Sequence, residues 1–332
     1  MWRKIQKTLA TVIPALLMVV FLIVMVCYLN RWDSMTAITL IPVWAWAAVG
    51  MLSCILSWLA FRGMPAVIVF CTWLIVGIAF SEESHGIFRE LVQAINRRSP
   101  PEEERQLRVI NLNAGRNPEA VKRVLDLEPD IVFIQDSPEE KLITEMTNEA
   151  FGVERIIFVG SNQAILASGE LLNSLSESNG TAIHARIRIP SGFIVDLTSL
   201  DLPPCFPSPY LWRPETWKDL TQRRIQNRRL LRNNLGENQI TRASTGRIVS
   251  GGFNTPAGDD VFRPLESNGL SDAFKSSGTG WGNTYPANCA ALRFDQIWAS
   301  QNLEPYQTFT RLNSVSKHRI VVSDFILPEI AE

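Results

Sequence analysis

Residues 247–260 read RIVSGGFNTPAGDD, a β-branched run that passes through two glycines into a turn carrying polar side chains. Ile248 and Val249 suit a buried pleated strand. Gly251 and Gly252 open backbone geometries closed to other residues, and Asn254-Thr255-Pro256 is turn chemistry. Phe253 would anchor the strand end while Asn254 points its amide at whatever occupies a cleft. Taken alone, the stretch is a strand running into an Asn-capped loop.

Similar strands lie on both sides of it. Residues 107–113, LRVINLN, alternate and end on polar side chains, residues 118–127 have helical spacing, and DIVFIQ at 130–135 reads as a buried strand ending at Asp136. Strand-like runs recur at 155–159, 163–167, 182–189, 193–200, 294–299 and 320–326, with a helix at 217–234. Many strands and few helices from residue 107 onward predict a layered α/β domain with two sheets.

The first 80 residues are different. Residues 8–29 carry no charge, and a helix needs about 20 apolar residues to cross the hydrocarbon core. The uncharged runs 35–61 and 64–80 follow with short connections, so residues 1–80 read as a three-helix anchor. Arg3, Lys4 and Lys7 precede the first span and acidic residues follow the third. By the positive-inside rule the N-terminus is cytoplasmic, and an odd number of spans carries the remainder to the other side of the membrane. Within residues 81–106, residues 86–98 have the spacing of an amphipathic helix and SPPEEERQ at 99–106 has linker composition.

Charge narrows the partners. Of 32 Lys+Arg and 33 Asp+Glu, residues 1–100 hold 8 and 4, leaving 24 against 29 beyond them. An acidic domain argues against general binding to nucleic acid, which relies on clustered Lys and Arg. The one dense basic run, RRIQNRRLLR at 223–232, reads as a solvated helix face whose apolar stripe packs on a sheet, with contact to anionic lipid headgroups or phosphate as the other reading. Cys205 and Cys289 are the two cysteines outside the apolar runs, and a disulfide between them requires an extracytoplasmic domain.

Taken in order, the strand ends VINLN (Asn113), PDIVFIQD (Asp136), NQAILAS, LTSLDLPP, SGGFNTP (Asn254), GWGNTYPA, FDQIW (Asp295) and SKHRIVVSDF (His318) resemble the endonuclease/exonuclease/phosphatase superfamily. The resemblance spans residues 107–327. It implies a deoxyribonuclease-I-like fold, a four-layer α/β/β/α sandwich of two mixed sheets, over residues 107–332.

The resemblance also implies metal-dependent phosphoester hydrolysis, in which carboxylates hold one or two divalent cations. Four positions depart from it. Asp136 stands where the family has a metal-binding Glu, Gly252 where it has the Asp that orients or activates water, Ser199 where it has a phosphate-facing His, and Lys317 where it has a metal-side Asp. What remains implies His318, Asp295, Asn254 and Asn113 as catalytic residues, Lys317 and Ser199 as phosphate-binding, and Asp136 as the metal carboxylate. Lys317 either fills the space of a lost cation or points to solvent. Mg²⁺ or Mn²⁺ is therefore expected to bind weakly, with a cation-free cleft as the other outcome. Asp201, Asp259 and Asp260 lie close in sequence to the depleted positions and could compensate for them, but read first as turn acids in solvated loops.

Two functions follow. One is hydrolysis of a phosphorylated lipid or envelope metabolite at the bilayer, with altered or weakened activity. The other is a catalytically inactive domain that binds a phosphate ligand or a protein partner through the same cleft.

Overall fold

The computed structural model describes residues 2–96, 106–151, 155–160, 162–176, 180–236 and 245–328. They fall into two compact units, residues 1–85 with 206–225, and residues 86–205 with 226–332.

In the first unit, α1 (Trp2–Asn30) is followed by the short α2 (Thr36–Thr39), then α3 (Val43–Phe61) and α4 (Met64–Phe80). The second expected span, 35–61, is thus broken. Pro42 caps α3, and a proline disfavours helical geometry in the residue before it, so the long helix starts only at Val43. Phe21, Val24, Ala47, Cys54, Val69, Trp73 and Val76 form the core of this unit.

Among the described residues two helices, α1 and α3, are long and apolar enough to cross a membrane. The number rises to three only if α4 and the helix after it, α5 (Glu82–Asn96), count as one bent span. The 17 residues of α4 are the reason, since they fall short of the length of about 20 that a span needs.

The amphipathic helix expected at 86–98 is α5, which starts earlier and exposes Phe88, Leu91 and Ile95. The expected linker lies outside the described residues, apart from Gln106.

The second unit is built on two six-stranded mixed sheets. One has the order β11 (Glu304–Arg311), β12 (Ile320–Ile326), β1 (Gln106–Asn113), β2 (Ile131–Gln135), β4 (Gln163–Ser168), β3 (Arg155–Val159). The other runs β5 (Glu170–Ser176), β6 (Ala182–Arg188), β7 (Ile194–Asp201), β8 (Thr245–Gly252), β10 (Asp295–Ser300), β9 (Leu270–Asp272). Helices α6 (Pro118–Leu125) and α7 (Glu140–Phe151) cover the outer face of the first sheet, where Val121, Val124 and Ile143 pack on Ile110, Val132 and Leu166. Helix α8 (Pro214–Gly236) covers the second, with Leu231 and Leu235 against Leu200, Val249 and Trp298. This is the expected α/β sandwich.

The basic run on α8 is only partly a solvated face. Arg224 is buried against the carbonyl of Trp32 and the hydroxyl of Thr39 in the first unit, and Arg228 pairs with Asp260 in the second. A buried guanidinium needs such acceptors, because its desolvation is otherwise uncompensated.

Between the sheets the side chains grade from apolar to polar. Along β1 the inward residues are Leu107, Val109, Asn111 and Asn113; along β2 they are Ile131, Phe133 and Gln135; along β7 they are Val195, Leu197, Ser199 and Asp201. Alternation on a strand keeps all of these on one face. Where the apolar members end, Ser250 donates to Asn111 Oδ1 at 3.0 Å and Gln135 donates to Ser199 Oγ at 3.2 Å. The sheets therefore close on an oily interior at one end and open on polar groups at the other.

Candidate active site

The polar end gathers most of the expected residues. His318 Nδ1 lies 2.7 Å from Asp295 Oδ2, and Asp295 is fully buried at the start of β10. A carboxylate can only accept, so Nδ1 carries the proton and Nε2 is left to face other groups. Both backbone N–H groups at Phe294 and Asp295 donate to Thr284 Oγ1, at 3.1 and 3.2 Å. The Tyr285 ring lies 4.9 Å from the imidazole, centroid to centroid. Ser316 ties the loop to β1: its hydroxyl donates to the Asn113 carbonyl at 2.7 Å and accepts from the His318 N–H at 3.0 Å.

Asp136 follows β2 in the left-handed region, at φ 44°, and its Oδ1 accepts from Asn162 Nδ2 at 2.9 Å. Asn254, at φ 50°, follows the end of β8. Its Nδ2 donates to the Leu202 carbonyl at 2.7 Å and to Asp201 Oδ1 at 3.3 Å. Asp and Asn tolerate this backbone better than most residues, and such conformations gather at functional sites. Phe253 is fully buried and packs edge-on against Phe262. Asn113 Oδ1 accepts from the Gly115 N–H at 3.1 Å.

Three expectations are corrected. Asp201 is no turn acid in a solvated loop: it is the last residue of β7 and faces Asp136, Asp295 and His318. Burial, then the charges of Asp136 and Asp295, push its carboxyl up to about 6, against the opposing pull of His318 and the Asn254 bond. Asp259 and Asp260 are buried as well. Asp259 caps the turn at Val261, and Asp260 is held by Arg228 and Arg263.

Ser199 stands two register pairs deeper than Asp201, has no exposure, and already accepts from Gln135. Lys317 is exposed, and its carbonyl takes the Ala287 N–H at 2.8 Å. No disulfide joins Cys205, which is buried, to Cys289, which is exposed.

Burial pulls the His318 imidazolium down, but the Asp295 charge and hydrogen bond, with Asp136 and Asp201 behind them, outweigh it and leave its pKa raised. Asp201 and Asn162 lie inside the quoted runs LTSLDLPP and NQAILAS, but the motifs alone give them no place in the site. Continuing the period-two alternation of β7 through Leu197 and Ser199 puts Asp201 on the inward face, and that signal was present in the sequence.

Two stacked mixed sheets, helices on both outer faces, and a His–Asp pair at one sheet end define a protein of the deoxyribonuclease-I-like superfamily. The chain belongs to the endonuclease/exonuclease/phosphatase family, whose profile matches residues 109–324.

Among solved structures it is similar to an endonuclease/exonuclease/phosphatase from Beutenbergia cavernae, with 11% identity, a TM-score of 0.52, and 67% of this chain and 72% of that one covered. A family protein from Bacteroides thetaiotaomicron matches at 14% identity and a TM-score of 0.51, over 68% of this chain and 98% of that one. A mannosyl-6-phosphatase from the same organism gives 15% identity and a TM-score of 0.49, over 67% of this chain and 100% of that one. No curated protein matches the sequence.

Proposed function

We propose that the chain is a membrane-anchored phosphoesterase whose catalytic domain lies outside the cytoplasm and hydrolyses a lipid-linked or envelope phosphate, with altered or weakened activity. One observation carries the reading. The His318–Asp295 pair is intact and faces the carboxylates of Asp136 and Asp201 at the polar end of the two sheets. The apolar N-terminal helices and the acidic balance beyond residue 100 support a substrate at the bilayer over a nucleic acid.

Enzymes of this family generally depend on a divalent metal. The residues here fit a weakly held ion. Asp295 Oδ1 is buried without a hydrogen-bond partner among the described residues, but no group of three or more His, Cys, Asp or Glu among them is arranged to hold an ion. Asp136, aided by Asn113, would hold Mg²⁺ or Mn²⁺, with substrate phosphate completing the shell. When bound, the cation polarises the phosphoryl oxygens. His318, fixed by Asp295 and biased toward its charged form, donates to a phosphate oxygen through Nε2. Asn254 holds the Asp201 carboxylate in place.

The test is Mg²⁺- or Mn²⁺-dependent phosphate release by the full chain in detergent, from para-nitrophenyl phosphate and from a lipid phosphate monoester in mixed micelles, with His318→Ala as control. Release that His318→Ala abolishes supports the reading. Saturable binding of inorganic phosphate with no release from any ester favours the inactive binding domain instead.

A further inference from the structure

Gly252 stands in register between two carboxylates. Its parallel partner on β7 is Asp201 and its antiparallel partner on β10 is Asp295, so the three form one row across the sheet end and present the same face. A Cβ built on Gly252 would lie 3.3 Å from Asp201 Oδ1, 3.7 Å from Asn254 Nδ2 and 3.9 Å from Asp295 Oδ1. All three neighbours are side-chain ends belonging to the site.

The preceding glycine makes the contrast clear. At Gly251, φ is +156° and a Cβ would lie 1.9 Å from the Leu200 carbonyl oxygen, so the backbone itself demands glycine there. Nothing in the backbone makes that demand at 252. The space a side chain at 252 would enter is bordered by the Asp201 carboxylate, which Asn254 fastens through Oδ1.

We infer that Asp201 supplies, from β7, the water-orienting carboxylate that a side chain at position 252 would otherwise supply from β8. The inference rests on the phosphoesterase reading and names a residue for it. In the reaction, the water oxygen bonds to phosphorus as one of its protons passes to Asp201. The bond from phosphorus to the ester oxygen breaks, and the departing oxygen takes a proton from solvent. The substrate class is the phosphate ester already proposed. What the geometry adds is that the substitution at 252 relocates an acid within one row of the sheet.

The experiment exchanges the carboxylate between the two strands. The full chain in detergent is assayed with Mn²⁺ on bis(para-nitrophenyl) phosphate as wild type, Asp201→Asn, Asp201→Ala, and Asp201→Ala with Gly252→Asp. Loss of a general base typically costs about 10² to 10⁴ in rate. Asp201→Asn and Asp201→Ala should fall in that range in kcat with KM little changed, and Gly252→Asp in the Asp201→Ala chain should recover at least about tenfold of the loss. That recovery also shows that Asp201→Ala had not merely unfolded.

A second readout needs neither metal nor turnover. The chain has 3 histidines, so the His318 imidazole can be followed by NMR in the metal-free protein. Its titration midpoint should move down in Asp201→Asn and return in the exchanged variant. Wild-type activity with Asp201→Asn within about twofold of it, or an unmoved His318 midpoint, overturns this inference and leaves the phosphoesterase reading standing. A wild-type chain that releases no phosphate from any ester overturns both.

Discussion

Asp295 uses one carboxylate oxygen to hold His318 Nδ1 at 2.7 Å, while its other oxygen is buried without a partner among the described residues and lies 3.9 Å from where a Cβ on Gly252 would stand. The acid is thus half committed to the imidazole and half exposed to the empty side-chain position. Replacing Asp295 with Asn keeps the size but offers the imidazole an amide that either donates or accepts, so the tautomer is no longer fixed. Asp295→Asn should lower metal-dependent phosphate release by about 10² to 10⁴, close to His318→Ala, and the double variant should be little worse than either. Steady-state rates of the three variants check this, and additive losses would show that the two residues do not act as a unit.

A histidine elsewhere sets an acid limit on stability. His184 is buried with Nδ1 3.0 Å from Thr198 Oγ1, and burial, then the Arg247 charge, push its pKa down to about 4. The unfolded chain takes up a proton near the usual 6.5 and the folded one only near 4. Stability therefore falls as pH drops through that window, by at most about 1.4 kcal/mol per pH unit from this group. His184→Gln should flatten the dependence of the melting temperature on pH between those values, and an unchanged slope would discard His184 as its source.

Asp201 works in the opposite sense. Its folded pKa of about 6 lies above the ordinary 3.8, so between these values the folded chain keeps a proton that the unfolded chain releases. Stability falls as pH rises through the window, and at pH above it the ionised carboxylate is a net cost to the fold. Asp201→Asn should melt a few degrees higher than wild type at neutral pH, with the gain shrinking as pH falls through the window from about 6 to 3.8 and gone below it. Thermal denaturation at two pH values decides it, and a lower melting temperature at neutral pH would refute the sign.

Whether α4 spans the membrane decides on which side of it the second unit resides. Two spans return the chain to the side on which it began, whereas a third carries it across. Alkaline phosphatase fused after Glu332 should be active, as an extracytoplasmic reporter is, and a fluorescent protein tolerant only of the cytoplasm should be dark. The reverse pattern would mean two spans and a cytoplasmic domain.

Much of the fold was legible in the sequence, and what was missed has a common cause. The strands Arg155–Val159 and Ile320–Ile326 have the bounds that their apolar runs suggest. The strands not anticipated are β5, β9 and β11, all at sheet edges. An edge strand pairs on one side only and carries polar residues that discourage pairing with other chains, so ELLNSLS and EPYQTFTR lack the signature of buried strands. Helix α7 was missed because EKLITEMTNEAF shows only a thin apolar stripe, of which Ile143 is fully buried.

The site divides in the same way. His318, Asp295 and Asn254 could be found because the runs that hold them resemble motifs of the family. Asp201 lies inside LTSLDLPP, but its role could not be read from that motif, because its partner across the ladder is 51 residues away at Gly252, and only the pairing of β7 with β8 brings them together. A carboxylate at the last position of a strand is unremarkable until the strand beside it is known.

The row of Asp201, Gly252 and Asp295 also constrains how this arrangement can arise or be undone by single substitutions. Gaining an acid at 252 first passes through a protein with three carboxylates abreast, where like charges at such spacing repel and destabilise the fold. Losing Asp201 first passes through one with neither acid in the vacant space. If Asp201 serves as the acid, one route therefore passes through a crowded row and the other through a row with no acid beside the empty position.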